Sequence, residues 1–295
     1  MGRIFKTNKA KENLYGYLFI LPVFIGVCFF VFYPFVYSFL STFKNWTGLK
    51  PLEDAPWVQL DIYKKVFADK VFWESFTNTL ITLIGMPVGL ILSMGLALLL
   101  NRGIRGTNAF RVIFYIPVVC SLAAIVVLWR ELMSLSGPVN DVLSAFGIKR
   151  LNWLGEPRSA MAALIIMCVW KGLGASTLLY IAGLSGVPSS CIEAAKLDGA
   201  NAWTIFWRIT FPLLMPTHFY MLVTGVINGM QIYLEPKLLN NGGPAGSTRT
   251  LVMYLFERFG QKRVSEASVI AWFTGAVVFA VTALQFWWNG RREKA

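Results

Sequence analysis

Charge is scarce in this chain. Only 14% of its 295 residues are Asp, Glu, Lys or Arg, against about 25% in soluble domains. Apolar residues make up 56%, more than a water-soluble fold of this length can hide, so the class is a membrane protein. Histidine occurs once, at His218, and the four cysteines are Cys28, Cys120, Cys168 and Cys191. No CxxC pair or zinc spacing joins them, which argues against a disulfide framework or a metal site. His218 stands near the start of an apolar run with no second histidine, and reads as interfacial. A Gly-x4-Gly-Lys-Ser/Thr loop is missing, so the chain does not bind ATP by that route. HExxH, GxSxG and any cluster of His, Cys and carboxylates are missing too, which argues against an enzyme. There is no internal repeat, no low-complexity tract and no loop long enough for a folded catalytic domain. The net charge of +12 does not point to nucleic acid, because the basic residues are scattered between apolar runs and form no stripe.

What the chain has is long apolar stretches. A helix needs about 20 apolar residues to cross the hydrocarbon core. Six stretches qualify, at 15–39, 76–100, 112–133, 160–184, 213–234 and 268–288. The reading is therefore an all-α membrane protein, one transmembrane domain over residues 1–295. The first stretch follows Arg3, Lys6, Lys9 and Lys11 as a signal peptide would. Its apolar run is about twice the usual length and no small-x-small site follows, so it reads as a retained helix, kinked near Pro22 and ending near Pro34. The residues flanking the spans set orientation. Those four basic residues precede the first span, Arg102, Arg105 and Arg111 fill the short second loop, and Arg291, Arg292 and Lys294 follow the last span. Basic flanks stay inside, which predicts both termini in the cytoplasm. Trp46, Trp57, Trp73, Trp129, Trp287 and Trp288 fall near the expected interfaces. The loop of residues 40–75 is expected to hold short interfacial helices, such as one over DIYKKVFADKVFWESF.

The loop at 187–212, VPSSCIEAAKLDGANAWTIFWRITFP, is the most informative stretch. Pro188 stops the preceding span, and Ser190 with Glu193 has capping-box spacing, which predicts a helix start. Ala194, Ala195, Lys196 and Leu197 favour helix. Gly199 breaks or caps it. Asn201 can cap a second helix with Trp203, Phe206, Trp207 and Thr210 on one face, ended by Pro212. Two short helices thus meet at a glycine on the cytoplasmic face. Physical chemistry leaves two readings: a stub that inserts into another protein's cleft, and an ordinary amphipathic connector.

EAAKLDGANAWTIFWRITFP resembles the EAA signature of permease subunits of binding-protein-dependent ABC importers. That signature reads EAA, three residues, Gly, nine residues, Ile, one residue, Leu-Pro. Glu193, Ala194, Ala195, Gly199, Ile209 and Pro212 are in register, and Phe211 replaces the usual Leu. YLFILPVFIGVCFFVFYPFVYSF, IPVVCSLAAIVVLW and NGGPAGSTRTL resemble segments of the maltose- and glycerol-phosphate-type sugar permeases. The resemblance implies the type I importer permease fold in a bacterial or archaeal cytoplasmic membrane. It implies translocation of a carbohydrate, of oligosaccharide size, with a second permease, two P-loop ATPase subunits holding ATP and Mg, and an extracytoplasmic solute-binding protein as partners. It also implies that Glu193 is the polar anchor of a coupling helix docked on an ATPase. Ala194 and Ala195 would permit close approach, Gly199 would supply the bend, and Asp198 would be structural at the junction.

Charges at the bilayer centre cost about 2.5–3.5 kcal/mol on insertion scales and usually face a cavity or a partner. Lys171 is the deepest. Either it lines the substrate path, or it snorkels or pairs with a helix of a partner permease. Asn228, Gln231 and Tyr233 of the fifth span offer the hydrogen bonds and ring face a sugar needs, or serve as interhelical glue. Ser176 is a further candidate for the path, although it can bond to its own backbone. A self-sufficient secondary transporter of a small polar solute is the alternative. Such proteins often show inverted repeats and mid-membrane acids, and neither is visible here.

Overall fold

The computed structural model describes residues 2–101 and 114–292, with side chains from 13 to 101 and 114 to 291. Arg102, Arg105, Arg111, Lys294 and positions 112–113 of the third expected span lie outside the described residues, as do the side chains of Arg3, Lys6, Lys9, Lys11 and Arg292. The described residues are helical, with one isolated bridge, Lys44 to Trp57, and no strand. The chain divides into two compact units.

The first unit comprises Met1–Ala68 and Arg258–Trp272. Helix α1 (Gly2–Val27) contains Pro22 and passes through a π turn at Cys28–Phe32 into α2 (Tyr33–Ser41). The sequence reading ended this helix near Pro34, and the structure corrects it. The ring of Pro34 meets the carbonyl four residues back, at Phe30, and a widened turn there lets the chain remain helical. Helix α3 (Asp61–Ala68) follows. The Lys44 ammonium donates to the carbonyls of Leu52 at 2.8 Å and Glu53 at 3.1 Å. Glu266 is buried, and Lys65 at 2.9 Å and Arg263 at 2.7 Å supply the opposite charge its carboxylate needs there.

The second unit comprises Asp69–Glu257 and Phe273–Ala295. Asp69 caps α4 (Lys70–Thr82) by accepting from Val71 N–H at 2.9 Å. KVFWESF therefore opens a long helix and does not belong to a short interfacial one with DIYKKVFA. After a turn at 83–84, α5 (Gly85–Leu100) continues. Helix α6, described over 114–119, stops at a bend at Cys120, and Ser121 caps α7 (Leu122–Leu132) through Ala124 N–H. Serine competes with the helix ladder by bonding to its own downstream backbone, so the third expected span is interrupted where the sequence reading ran it straight. Next come α8 (Pro138–Ala145) and α9 (Pro157–Ser185). The latter buries Ala163, Leu164, Met167, Tyr180 and Leu184. Helices α5 and α9 pack closely: a Cβ at Gly85 would lie 3.0 Å from Ile165.

Helices α10 (Ser189–Leu197) and α11 (Ala202–Ile205) lead through a second π turn, Phe206–Thr210, to α12 (Phe211–Leu213). Pro212 does not end the helix as expected. The π turn again ends two residues before the proline, at the place where the ring would strike a regular ladder. The break falls at Leu214, before Pro216, and α13 (Met215–Met230) leaves at 62° to the preceding arm. The fifth expected span also ends earlier than the sequence suggested: Gln231–Tyr233 are non-helical, and α14 (Leu234–Asn240) starts anew. Here Pro236 blocks the carbonyl of Ile232, and the hydroxyl of Thr250 donates to that oxygen at 2.7 Å instead. Helices α15 (Leu251–Gly260) and α16 (Val264–Arg292) complete the chain.

By length and hydropathy four described helices can cross a membrane: Asn13–Ser41, Lys70–Leu100, Pro157–Ser185 and Val264–Arg291. The bent pair Ala202–Leu213 and Met215–Met230 makes a fifth if it counts as one span.

Candidate functional site

The first candidate is the loop after α9. Helix α10 begins at Ser189 behind Pro188, which makes no side-chain cap. The capping box expected of Ser190 and Glu193 does not form, because the helix starts at Ser189, two residues too early to leave Ser190 at the cap. Its other end closes as the sequence predicts. Gly199 has φ +77°, its N–H donates to Lys196 O at 3.0 Å, and Ala200 N–H donates to Ala195 O at 2.9 Å. This pair of bonds is the Schellman closure, which needs a left-handed residue at that position. Space around the missing Cβ is open, so backbone conformation and not crowding requires glycine. Asp198 is the C-cap residue and is exposed. Asn201 then caps α11 by accepting from Thr204 N–H at 2.8 Å.

No residue of α10 is buried. Glu193 and Ala194 are exposed and Ala195 half-buried, while Leu197 is 91% exposed and Trp203 70%. Apolar side chains this open, on a segment too short and polar to lie in the hydrocarbon, form the kind of patch that a protein partner covers.

The second candidate lies within the long helices. Lys171 of α9 forms an ion pair and hydrogen bond with Glu235 of α14. The charge is thus answered inside this chain, which sequence reasoning had not considered. Asn228 and Gln231 are exposed beside the break that follows α13. Tyr233, in the break, stacks on Phe256 with ring centres 4.4 Å apart and planes at 28°. Asn228, Gln231, Tyr233 and Lys171, the last through Glu235, therefore gather near one broken stretch. Ser176 does not join them. It lies five residues along α9 from Lys171, about 140° round the helix.

Two residues were missed. Glu235 could have been found by asking which acid answers Lys171. Phe256 carries no signal in sequence, since only the fold brings it to Tyr233. His218 was read as interfacial and is in fact buried, 8% exposed, with Nδ1 2.9 Å from the Tyr180 hydroxyl. Among the described residues no group of His, Cys, Asp and Glu could hold a metal.

The described residues thus form an all-helical membrane protein with a bent helix pair that follows directly on a capped, exposed helix–glycine–helix. The chain belongs to the binding-protein-dependent transport system inner membrane components, whose family pattern matches residues 85–294. It is 34% identical to the probable ABC transporter permease protein YesP of Bacillus subtilis, over 94% of this chain and 90% of that one. It is 31% identical to the trehalose/maltose transport system permease protein MalF of Thermococcus litoralis, over 93% of each chain. A solved chain of a bacterial ABC transporter involved in the import of the acidic polysaccharide alginate matches with a TM-score of 0.82 and 25% identity, covering 98% of this chain and 99% of that one. The fold is accordingly that of an ABC importer permease, a multi-pass membrane protein.

Proposed function

We propose that this chain is the membrane-spanning permease subunit of an ATP-driven importer that translocates a carbohydrate of oligosaccharide size. The observation that carries this reading is the exposed α10–Gly199–α11 pair, with Glu193, Ala194, Ala195 and Gly199 in the register of a coupling helix. Relatives named for trehalose and maltose and for lactose support the substrate class. The family's dependence on a binding protein supports an extracytoplasmic partner that delivers the sugar.

In this reading the chain has six spans with both termini in the cytoplasmic compartment, and supplies half of the translocation path. A second, related permease supplies the other half. Two P-loop ATPase subunits bind ATP and Mg, and one of them receives α10. Glu193 makes the polar contact, and Ala194 and Ala195 let the helix sit deep. Gly199 turns the chain back toward the membrane, and Asp198 holds the helix end. Asn228, Gln231 and Tyr233 meet the sugar, with Lys171 at the same level. Ser176 lies on another face of α9 and contributes less.

The test is affinity purification of the chain from its native membrane, with mass spectrometry of what accompanies it. A second permease, a P-loop ATPase and a solute-binding protein that takes up a sugar are the expected companions. Recovery of this chain alone, under conditions that preserve known importers, overturns the reading in favour of a self-sufficient secondary transporter.

A further inference from the structure

Five rings form a continuous column from the exposed loop into the second unit's interior. The ring centres of Trp203 and Trp207 lie 5.6 Å apart and those of His218 and Tyr180 5.3 Å, both edge to face, while Trp207 and Phe211 at 5.1 Å and Phe211 and His218 at 4.6 Å are tilted. Exposure falls along it, from 70% at Trp203 to 2% at Tyr180. The first three rings stand four residues apart on the loop arm. His218 stands on α13, just past the 62° elbow at Leu214. Tyr180 stands on α9, and its hydroxyl meets His218 Nδ1. His218 therefore touches both the arm and α9, and the arm cannot turn about its elbow without disturbing it.

Helix α9 also meets α13 and α14 on the two sides of this contact. A Cβ on Gly183 of α9 would lie 2.6 Å from the Thr217 hydroxyl, so the two helices touch there. Nine residues back along α9 from Tyr180, about 14 Å by helical rise, Lys171 pairs with Glu235. A pocket of about 270 Å³ borders the other side of His218, lined also by Phe219, Leu222, Gln285 and Trp288.

We infer that this column transmits docking at the loop to the depth of Lys171 and Glu235, and that His218 and Tyr180 are positioning residues for transport. The inference rests on the coupling-helix reading above. Packed rings resist sliding, and the hydroxyl–imidazole bond ties the last ring to α9, so a displacement of the arm is passed on as a displacement of α9 and α14. His218 acts on the path through Tyr180 and α9 and touches no substrate.

A native and an introduced cysteine read both ends. Cys191 lies exposed on α10, and Gln231→Cys places a thiol at an exposed position beside the break before α14, four residues from Glu235. The experiment is site-resolved thiol alkylation, by mass spectrometry, of the assembled complex carrying Gln231→Cys in membranes, with and without ATP and vanadate. In this parent, Cys191 is expected to be protected in the assembled complex, and trapping is expected to change the rate of the introduced thiol by about tenfold, within the usual range of coupling between sites. Tyr180→Phe, which removes one oxygen, and His218→Leu are expected to keep Cys191 protected while the response of the introduced thiol falls to about twofold or less. The double variant is expected to be no worse than the poorer single one, since both break one link. An unaltered response in both single variants, or effects that multiply in the double, overturns the column. So does an introduced thiol that ignores ATP in the parent. Unprotected Cys191 in the parent complex is a different failure, because it removes the coupling-helix reading itself.

Discussion

Lys171 and Glu235, 64 residues apart in sequence, meet as an ion pair between α9 and α14. Each supplies the opposite charge that the other needs among apolar neighbours. Their side chains are 32% and 15% exposed, so neither is fully desolvated. Removing one partner strands the other, and removing both does not.

Lys171→Met and Glu235→Met are each expected to destabilise the chain by about 1–3 kcal/mol, less than for a fully buried pair. The double change to Met at both positions is expected to recover most of the loss. Thermal unfolding in detergent, followed by tryptophan fluorescence, measures it. A double variant as unstable as the sum of the singles would show that the pair contributes through other contacts.

Gly199 is held at φ +77° in open space. A β-branched side chain there is expected to cost about 1–2 kcal/mol and to loosen the Schellman closure. Asn tolerates that conformation better. Uptake should therefore fall in the order Asn, Ala, Val at this position, and Glu193→Lys should abolish it. Membrane insertion should stay normal in all four variants. Transport assays in cells with immunoblots of the membrane fraction separate the two effects.

Gln231 is exposed beside the broken stretch and Tyr233 is stacked on Phe256. Gln231→Ala and Phe256→Ala are each expected to weaken sugar uptake by about five- to tenfold, the loss of one hydrogen bond or one ring contact. ATPase subunits should still co-purify. Unchanged uptake kinetics in either variant takes that residue out of the path.

Thr250 satisfies the carbonyl of Ile232 that Pro236 frees. Thr250→Val keeps the shape and removes the hydroxyl, leaving the part-buried Ile232 carbonyl without its donor and Met253 N–H without that acceptor, at a cost of about 1–3 kcal/mol. Thr250→Ser keeps the hydroxyl and is expected to cost less than half of that. The comparison of the two melting temperatures is the measurement.

The long apolar helices were legible in sequence because burial in lipid demands unbroken apolar runs. The loop was legible because Gly199 and Asn201 are read by local backbone chemistry, and both occupy the turn and cap expected of them. Prolines misled. Pro34 and Pro212 sit in continuing helix because a π turn precedes each, whereas Pro216 and Pro236 stand beside real breaks. A residue's own identity does not say which outcome follows. That depends on whether a neighbour takes up the freed carbonyl, as Thr250 does for Ile232. The stacking of Phe256 on Tyr233 and the bond of His218 to Tyr180 were invisible for the same reason, since those partners are distant in the chain.

The π turn at Cys28–Phe32 has a consequence for how length varies among relatives. Such a turn holds one residue more than a regular helix needs. Dropping a residue there would leave the helix whole, but would rotate everything before it by about 100°. Insertions and deletions in the first helix should therefore come singly and cluster in those five positions, and the face that precedes them should turn by one step with each.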